Sequence, residues 1–269
     1  MRIIKTYEDF NHLGGLGSSR RKTLGGRSQV LDIDENNIQE VLQKYAPWYD
    51  INCKTKLYRG VKSRNKERVE PLLILDPTIH NRISIDTDNY YNLIMDNLPK
   101  WEEYPKRSKS IIGSLNKSTA SDYGTLYRII PLLENTKVAI APRHDIWFSF
   151  QNAFKTIPPI YTRCIHCGGS GKHNMGGACK PCNGSGDKTI TNLKQFNDKL
   201  KRDFNLTRDG YSWSEFKNIT KNAMPVINDI FDPIKNGFRL INYNNDTNIF
   251  KDAEIWTEGK CLLIKDSLL

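Results

Sequence analysis

The feature that most constrains how this chain can fold is a doubled cysteine motif in residues 164–186, which read CIHCGGSGKHNMGGACKPCNGSG. The pattern Cys-x-x-Cys-x-Gly-x-Gly occurs there twice, so four thiolates lie in two matched pairs. Each Cys-x-x-Cys turn presents two sulfur atoms, and four sulfurs suit the tetrahedral coordination of zinc. The glycines can adopt positive φ angles, which lets backbone N–H groups approach the sulfurs. The sequence therefore predicts one structural zinc ion, held by Cys164, Cys167, Cys179 and Cys182.

The spacing leaves two other interpretations of these cysteines open. The same four residues could form a pair of disulfides, which a reducing compartment would exclude. His166 or His173 could replace one sulfur as a ligand, although a complete set of four cysteines favours solvent-exposed histidines.

The doubled motif resembles the cysteine-rich zinc region of DnaJ-type co-chaperones, which carries four such repeats where this chain has two. The resemblance implies one zinc ion where those proteins hold two. It covers only residues 164–186, and the His-Pro-Asp of a J-domain occurs nowhere in the chain. Co-chaperone function is therefore not expected.

The composition is basic, because lysine and arginine outnumber aspartate and glutamate by 40 to 30, which gives a net charge of +10. Such an excess favours polyanionic partners through counterion release, so we expect weak, nonspecific binding to nucleic acids. A solvated charged face would explain the same residues nearly as well. The basic residues in and after the cysteine motif are Lys172, His173, Lys180, Lys188, Lys194, Lys199, Lys201 and Arg202.

The sequence shows no signal for a membrane or for secretion. It contains no apolar run of about 18 residues, the length that a membrane span needs. Its first residues, MRIIKTYEDF, lack the apolar core of a secretion signal. We therefore predict a cytoplasmic protein that does not contact a membrane. In that compartment Cys53 and Cys261, which lie outside the doubled motif, are expected to be free, buried thiols.

Hydrophobic periodicity predicts strands on both sides of the cysteine motif and helices after it. Before the motif, a helix is predicted to end ahead of Pro47, with Asp32 and Glu35 as its capping box. Beyond the motif, Ser212 and Glu215 form a second capping box. Predicted strands cover residues 57–61, 71–75, 110–113, 126–131, 137–142, 237–243, 253–256 and 260–265.

This order of elements predicts one β-rich domain interrupted by a helical, zinc-bearing segment, since the C-terminal strands are too few to form a stable sheet alone. Residues 11–28, NHLGGLGSSRRKTLGGRS, have no apolar period and indicate a flexible basic segment. The predicted parts are a flexible N-terminal segment (1–28), the first part of the β-rich domain (29–155), a zinc-binding insertion (156–190), a helical segment (191–236) and the closing strands (237–269).

Three polar residues occupy strand positions where an apolar residue would cost less: Arg59 in LYRGV, Ser110 in SIIGS and Glu254 in DAEIWTEGK. A strand arginine is more often a surface or ion-pair residue than a ligand clamp. The order of the three motifs, however, resembles the Arg-Ser-Glu class of mono-ADP-ribosyltransferases. That family carries an arginine on its first core strand, a Ser-Thr-Ser strand followed by a short helix, and Glu-x-Glu or Gln-x-Glu before a hairpin.

The resemblance implies an α+β fold of two small packed β-sheets, with NAD+ bound in the cleft between them. The implied catalytic set is Glu254, Arg59, Ser110 and Asp252, in which Glu254 is the catalytic glutamate. The implied NAD+-binding residues are Arg59, Ser110 and Ser114. The chain departs from the family pattern at two places. It keeps only the first serine of the Ser-Thr-Ser triplet, and Asp252 stands where the family has Glu or Gln.

These residue types suit that chemistry. A guanidinium grips a pyrophosphate with paired hydrogen bonds, and a carboxylate stabilises the cationic sugar that forms as the nicotinamide bond breaks. A serine hydroxyl can orient that carboxylate. The expected activity is therefore transfer of ADP-ribose from NAD+ to a protein or a nucleic acid, with the zinc segment aiding target recognition or stability. A phage-encoded modifier acting in the host cytoplasm would fit this activity.

The alternative is a non-enzymatic, zinc-containing module that binds nucleic acid or protein, in which Arg59 and Glu254 are structural. The two hypotheses differ in geometry. The enzyme hypothesis requires Arg59, Ser110 and Glu254 to converge on one cleft, whereas the binding hypothesis is indifferent to their positions.

Overall fold

The computed structural model describes residues 3–4, 28–29, 37–62, 70–79, 90–173, 176–206, 210–243 and 251–269. The chain forms two compact units, one of residues 1–146 and 237–269, the other of residues 147–236. The predicted capping box of Asp32 and Glu35 lies outside the described residues, as does most of the predicted flexible segment 1–28.

The described strands, in chain order, are β1 (Ile3–Ile4), β2 (Ser28–Gln29), β3 (Leu57–Val61), β4 (Leu72–Leu75), β5 (Ser110–Ser114), β6 (Thr125–Pro131), β7 (Lys137–Ile140), β8 (Ile160–Arg163), β9 (Asp187–Ile190), β10 (Arg239–Asn242), β11 (Glu254–Glu258) and β12 (Cys261–Lys265). The described α-helices are α1 (Ile38–Tyr45), α2 (Tyr90–Asn97), α3 (Lys117–Ser121), α4 (Ile146–Ser149), α5 (Ala153–Thr156), α6 (Leu193–Phe204), α7 (Trp213–Ile219), α8 (Met224–Ile230) and α9 (Pro233–Asn236).

One large antiparallel sheet forms the centre of the first unit. Its strands follow the order β10-β7-β11-β5-β3-β6-β12-β4. The bounds of all eight strands agree with the predicted strand segments to within two residues. Two smaller pairs, β1 with β2 and β8 with β9, are also antiparallel. The fold class is therefore α+β, as the sequence predicts.

The large sheet narrows at its centre, between β3 and β5. These two strands, both fully described, share a single register pair, Tyr58 opposite Ser114, whereas β3 and β6 share five pairs and so do β5 and β11. Gly113 lies at this joint. A Cβ atom there would sit 2.4 Å from the carbonyl oxygen of Tyr58 and 2.6 Å from Cδ1 of Ile129, so only glycine fits. In place of two separate small sheets, the structure has two four-stranded halves joined at one pair.

The core of the first unit draws on both halves of the sheet. Five of its fully buried members are Leu57, Ile111, Ile129, Ile255 and Ile264. Helix α1 adds the apolar stripe that its sequence predicts, with Ile38, Val41 and Leu42 buried. Each such side chain contributes about 1.5–3 kcal/mol on burial, which explains why leucine and isoleucine dominate these positions.

The second unit contains a short hairpin that the sequence pattern does not predict. Strands β8 and β9 pair from Ile160 opposite Ile190 to Arg163 opposite Asp187. Each strand is four residues long and carries too few apolar residues to show a period of two. The segment around the cysteines is therefore carried by strands, where a helical segment was expected.

The helices of the second unit follow their sequence signals. Helix α6 carries Leu193, Phe196, Leu200 and Phe204 at helical spacing, of which the first three are buried and Phe204 is half-buried. Helix α7 begins with the predicted capping box, because the Ser212 hydroxyl accepts a hydrogen bond from the Glu215 N–H and the Glu215 carboxylate accepts one from the Ser212 N–H. The start of α7 depends on neighbouring residues only, which is why the sequence locates it well. Helix α1 of the first unit, in contrast, begins at Ile38 with Asn37 as its N-cap, so the prediction that Asp32 and Glu35 cap it is wrong.

A buried ion cluster ties the C-terminal residues to the sheet of the first unit. Arg128 donates hydrogen bonds to Asp266 Oδ1 from Nε at 3.2 Å and from Nη2 at 2.6 Å, and to the Tyr49 hydroxyl from Nη1 at 3.1 Å. Its guanidinium also lies 5.2 Å from the ring centre of Tyr58. The Arg128 and Asp266 side chains are only 5% and 8% exposed. Lys117, which is 62% exposed, contacts Asp266 at 2.7 Å.

Replacing Asp266 with asparagine should reduce the free energy of unfolding by about 3 kcal/mol near pH 7, because a buried arginine loses its anion. Burial alone would raise the pKa of Asp266, but hydrogen bonds and charges from Lys117 and Arg128 outweigh it and lower the pKa below 3.8. A lowered folded-state pKa contributes stability above the unfolded-state pKa, and this stability is lost as pH falls through the folded-state value. Urea denaturation should therefore show a wild-type advantage that is full at neutral pH and shrinks below about pH 4.

Lys117→Gln is the matched control, because it removes the exposed partner of the same carboxylate. Its effect on the free energy of unfolding should stay below about 1 kcal/mol. Equal losses for the two variants, or a wild-type advantage that does not change with pH, would contradict this account of the cluster.

Candidate functional site

The four predicted cysteines meet in one cluster beside the β8–β9 hairpin, with all their Sγ atoms within 4.8 Å of one another. The Cys164 and Cys179 sulfurs are 3.9 Å apart, and the Cys167 and Cys182 sulfurs 3.7 Å. A tetrahedral ion with metal–sulfur bonds of about 2.3 Å would hold its sulfurs about 3.8 Å apart. All four cysteines are free thiols, so the disulfide alternative is not realised. The cluster could hold a zinc-like metal ion.

The two copies of the motif close on each other through matching backbone hydrogen bonds. The Cys164 N–H donates to the Gly186 carbonyl at 2.8 Å, and the Cys179 N–H donates to the Gly171 carbonyl at 2.8 Å. Each copy therefore supplies the carbonyl that fixes the first cysteine of the other. This reciprocity gives the cluster an approximate two-fold symmetry that follows from the doubled sequence.

A serine between the two glycines of each copy completes the turn. The Ser185 hydroxyl contacts the carbonyl oxygens of Cys182 and Asp187, both at 2.7 Å. Ser170 makes the equivalent contacts in the first copy, at 2.8 and 3.1 Å. The sequence analysis missed these serines because it compared only cysteine and glycine. The signal was present, since both copies read Cys-x-x-Cys-x-Gly-Ser-Gly.

The last glycine of each copy is required by a close approach of backbone to backbone. Gly171 has a φ of +72°, and a Cβ atom there would lie 2.2 Å from the carbonyl oxygen of Gly184. Gly186 has a φ of +83°, and a Cβ atom would lie 2.3 Å from the carbonyl oxygen of Gly169. No other residue fits either position, so these glycines allow the two copies to pack together.

The surroundings favour a thiolate, the form that binds metal, at Cys167. Burial alone would raise the pKa of Cys167, but hydrogen bonds from the backbone N–H groups of Gly171 and Gly169 outweigh it, and the pKa falls from 9.0 to about 6. At Cys179, in contrast, burial and hydrogen bonds with the other three cysteines raise the pKa from 9.0 to about 12. His166 and His173 are exposed and lie outside the four-sulfur cluster, as the complete set of cysteines predicts.

In the first unit, the joint between β3 and β5 brings together two of the residues that the resemblance singles out, Ser114 and Glu254, whereas the expected convergence of Arg59 with Glu254 on one face is not found. Tyr58, Ser114 and Glu254 lie side by side on neighbouring strands, because Ser114 is the register partner of both others. Register partners point to the same face of a sheet. Arg59 follows Tyr58, so its side chain leaves β3 on the opposite face. Its Nη1 donates to the Ile112 carbonyl of β5 at 2.6 Å.

Ser110 does not join this group. It is the register partner of Glu258, four residues along β5 from Ser114, which corresponds to about 13 Å of strand. Ser110 is fully buried, and its hydroxyl donates to the Lys106 carbonyl at 2.7 Å. The expected convergence of Ser110 with Glu254 is therefore not found, because β5 and β11 run antiparallel and place them at opposite ends of the pair.

Asp252 lies two residues before Glu254, on an exposed turn. Its carboxylate accepts a hydrogen bond from the side-chain amide of Asn116, and the Asn116 side chain in turn accepts the Thr119 N–H at 3.1 Å, as the N-cap of α3. Asp252 therefore steadies the start of the short helix that follows β5.

The Glu254 carboxylate is 12% exposed and is held from two sides. Arg107 Nη2 donates to Oε1 at 2.7 Å, and the Ile146 N–H donates to Oε2 at 3.1 Å. Arg107 is 5% exposed, and within the described residues its Nε and Nη1 have no hydrogen-bond partner. Buried donors without a partner are rare in proteins. Burial also raises the pKa of Asp96, an effect that hydrogen bonds from Ser108 and the charge of Arg107 oppose.

The sequence analysis missed Arg107. It stands in the basic stretch PKRSK before β5, where nothing local distinguishes it from a surface arginine or lysine. Only the tertiary structure pairs it with Glu254, which is 147 residues away in the chain.

Comparison with models of protein families, with curated proteins and with solved structures gives no match to this chain. The resemblances to mono-ADP-ribosyltransferases and to the DnaJ-type zinc repeat therefore depend on the motifs quoted above. Of the helices in the described part of the chain, none is long and apolar enough to cross a bilayer.

Purified protein is expected to contain about one equivalent of bound metal by elemental analysis. Gly171→Ala should weaken metal binding by at least about tenfold, because the added Cβ atom forces the supporting backbone away from the sulfurs. Gly177→Ala is the matched control, since Gly177 also has a positive φ, of +85°, but a Cβ atom there would meet no atom within 4 Å. Metal-free folded protein, or equal metal loss in both variants, would contradict the assignment.

Proposed function

We propose that this chain transfers ADP-ribose from NAD+ to a macromolecular acceptor, a protein or a nucleic acid, and that it carries one structural zinc ion. The observation that carries the enzymatic proposal is the joint between β3 and β5. A hydroxyl on Ser114 and a carboxylate on Glu254 lie there on one face of adjacent strands, and the guanidinium of Arg59 leaves β3 on the other face. These are the residue types that the Arg-Ser-Glu resemblance implies.

In the proposed reaction, the bond between the nicotinamide nitrogen and the ribose C1′ breaks, and its electron pair leaves with nicotinamide. C1′ then bonds to a nucleophilic atom of the acceptor, which loses its proton. Positive charge develops on the sugar during this exchange, and the Glu254 carboxylate stabilises it. Arg107 and the Ile146 N–H hold that carboxylate in place beforehand, so little reorganisation is needed as the charge develops.

Arg59 binds the NAD+ pyrophosphate in this proposal. A guanidinium matches phosphate oxygens with two parallel hydrogen bonds, which a lysine cannot do. Arg59 exchanges its bond to the Ile112 carbonyl for these contacts. Ser114, as the register partner of Glu254, takes the role of the serine that orients the carboxylate, and its hydroxyl exchanges its 3.4 Å contact with the Ala253 carbonyl for one with Glu254. Asp252 occupies the first position of the motif that the family writes Glu-x-Glu or Gln-x-Glu.

The metal is assigned as zinc because four thiolates in a tetrahedral arrangement suit zinc and disfavour magnesium and calcium, which prefer oxygen ligands. With all four positions filled by protein sulfur, the ion would stabilise the two facing turns. It would have no open position for a substrate.

A second candidate function is a non-enzymatic module that binds nucleic acid or protein. The observation that favours it is the Arg107–Glu254 ion pair, since buried structural carboxylates are paired in the same way. Incubation with labelled NAD+ and a mixture of proteins and nucleic acids separates the candidates. The enzyme releases nicotinamide and labels an acceptor, whereas the binding module does neither.

Glu254→Gln should leave NAD+ binding within about threefold of wild type while turnover falls by at least about two orders of magnitude, because the carboxylate acts as charge develops on the sugar. Glutamine keeps an oxygen that can accept from Arg107, but the buried arginine loses its anion, so we expect a stability loss of about 3 kcal/mol, as for Asp266→Asn. Circular dichroism would check that the variant is folded under the assay conditions. Binding is measured by calorimetry and turnover by nicotinamide release.

Glu258→Gln is the matched control for Glu254→Gln. Both residues lie on β11 with side chains on the same face, and Glu258 accepts a hydrogen bond from the Lys106 N–H at 3.1 Å. Turnover should be unchanged in this variant. Activity that disappears with Glu258→Gln and survives Glu254→Gln would overturn the assignment of the catalytic carboxylate.

Two serines on one face of β5 test the position of the orienting hydroxyl. Ser114→Ala should reduce turnover about five- to tenfold, the value of one hydrogen bond of about 1 kcal/mol or slightly more. Ser110→Ala should leave turnover unchanged, because Ser110 lies beside Glu258 at the other end of the strand. The reverse order of effects would show that the register-based choice of Ser114 is wrong.

A further inference from the structure

A recess lies in the unit that carries the cysteine cluster, between the β8–β9 hairpin and the second copy of the motif. Its cavity volume is about 560 Å³, within the range of about 300–1,000 Å³ that is usual for small-ligand sites. The residues that line it are Tyr161, Pro181, Cys182, Asn183, Ser185, Asp187, Lys188 and Thr189. We call it the knuckle pocket.

An exposed aromatic ring forms one wall of the knuckle pocket. Tyr161 is 57% exposed and is the register partner of Thr189 on the neighbouring strand. The adjacent pair, Ile160 and Ile190, points to the opposite face, where Ile190 is buried. Because strand residues alternate between faces, burial of Ile190 holds Tyr161 on the outer face. The ring is therefore presented to solvent by the hairpin itself.

The charges around the pocket favour a neutral group inside it and an anionic group at its rim. Lys188 is among the lining residues, but as the register partner of Thr162 it extends from the face that carries Ile190. Lys180 is exposed and directly precedes the lining residue Pro181. Asp187, whose side chain is also exposed, adds a carboxylate to the lining. A phosphate inside the pocket would meet that carboxylate, whereas a neutral ring that carries N–H donors would not. A phosphate at the rim, in contrast, is attracted by Lys180.

We propose that the knuckle pocket binds one unpaired base of a single-stranded nucleic acid, which stacks on Tyr161 while a neighbouring phosphate contacts Lys180. Stacking on an aromatic ring with backbone contacts to lysine is a general mode of single-strand binding. Bases in a duplex are already paired and stacked, so they cannot enter a recess of this kind. The proposal does not depend on ADP-ribosyl transfer.

The test measures binding of a fluorescently labelled twelve-nucleotide single strand to the full-length, metal-loaded protein by anisotropy. Tyr161→Ala should weaken binding about tenfold, the effect of losing one stacked base. Tyr161→Trp should restore it, because the stacking surface returns. Tyr123→Ala is the matched control, since Tyr123 is 62% exposed and lies in the other unit. It should leave binding unchanged.

Salt dependence tests the role of Lys180. Lys180→Gln should make the slope of log affinity against log salt shallower by about 0.7, the expected loss for one phosphate contact to a single strand. Lys260→Gln, which removes an equal charge from a lysine that is 61% exposed in the other unit, should leave the slope unchanged.

Three results would overturn the proposal. The first is equal affinity of wild type and Tyr161→Ala for the single strand when the metal content of both proteins is the same. The second is competition by inorganic phosphate at concentrations similar to the phosphate concentration of the oligonucleotide, which would indicate a phosphate site. The third is tighter binding of a polyglutamate peptide than of the oligonucleotide, which would indicate an acidic protein partner.

Discussion

The first unit depends on how closely β3 and β5 can approach each other. Gly113 has no room for a Cβ atom against the Tyr58 carbonyl, and the two strands share only the pair of Tyr58 and Ser114. Beyond that pair, the Arg59 guanidinium hydrogen-bonds the Ile112 carbonyl across the joint. A single register pair therefore joins the two half-sheets, and beyond it the Arg59 side chain bonds to backbone where a regular sheet would continue its strand pairing. At this joint a ligand could replace the hydrogen bond between the Arg59 side chain and the Ile112 backbone at a small cost in free energy.

The second unit depends on a constraint that is local in the chain. Two copies of one short motif face each other, and each copy gives the other a backbone carbonyl and the space of a missing side chain. The sulfurs come together because the backbones do, at the separation that a tetrahedral metal ion needs. The hairpin beside the cluster then displays Tyr161 at the knuckle pocket.

Two buried arginines in the first unit show different kinds of ion pair. Arg128 has hydrogen bonds to Asp266 from two of its nitrogens and to Tyr49 from the third. Arg107 donates to Glu254 from one nitrogen, Nη2. Within the part of the chain that the structure describes, its Nε and Nη1 have no hydrogen-bond partner. A fully paired guanidinium is typical of a structural tie. A guanidinium with unpaired buried donors is typical of a site where a further hydrogen-bond acceptor can bind.

The sequence by itself determined most local features of this protein: the eight strand segments of the large sheet, the capping box of α7 and the four cysteines that cluster. Each follows from residues near in the chain, through alternation, capping or doubled spacing. Tertiary structure alone decided that Ser114 and not Ser110 is the neighbour of Glu254, and that Arg107 holds Glu254 across 147 residues. Strand register and long-range pairing depend on how all eight strands pack together, and a shift along antiparallel strands changes every partner while the local pattern stays the same.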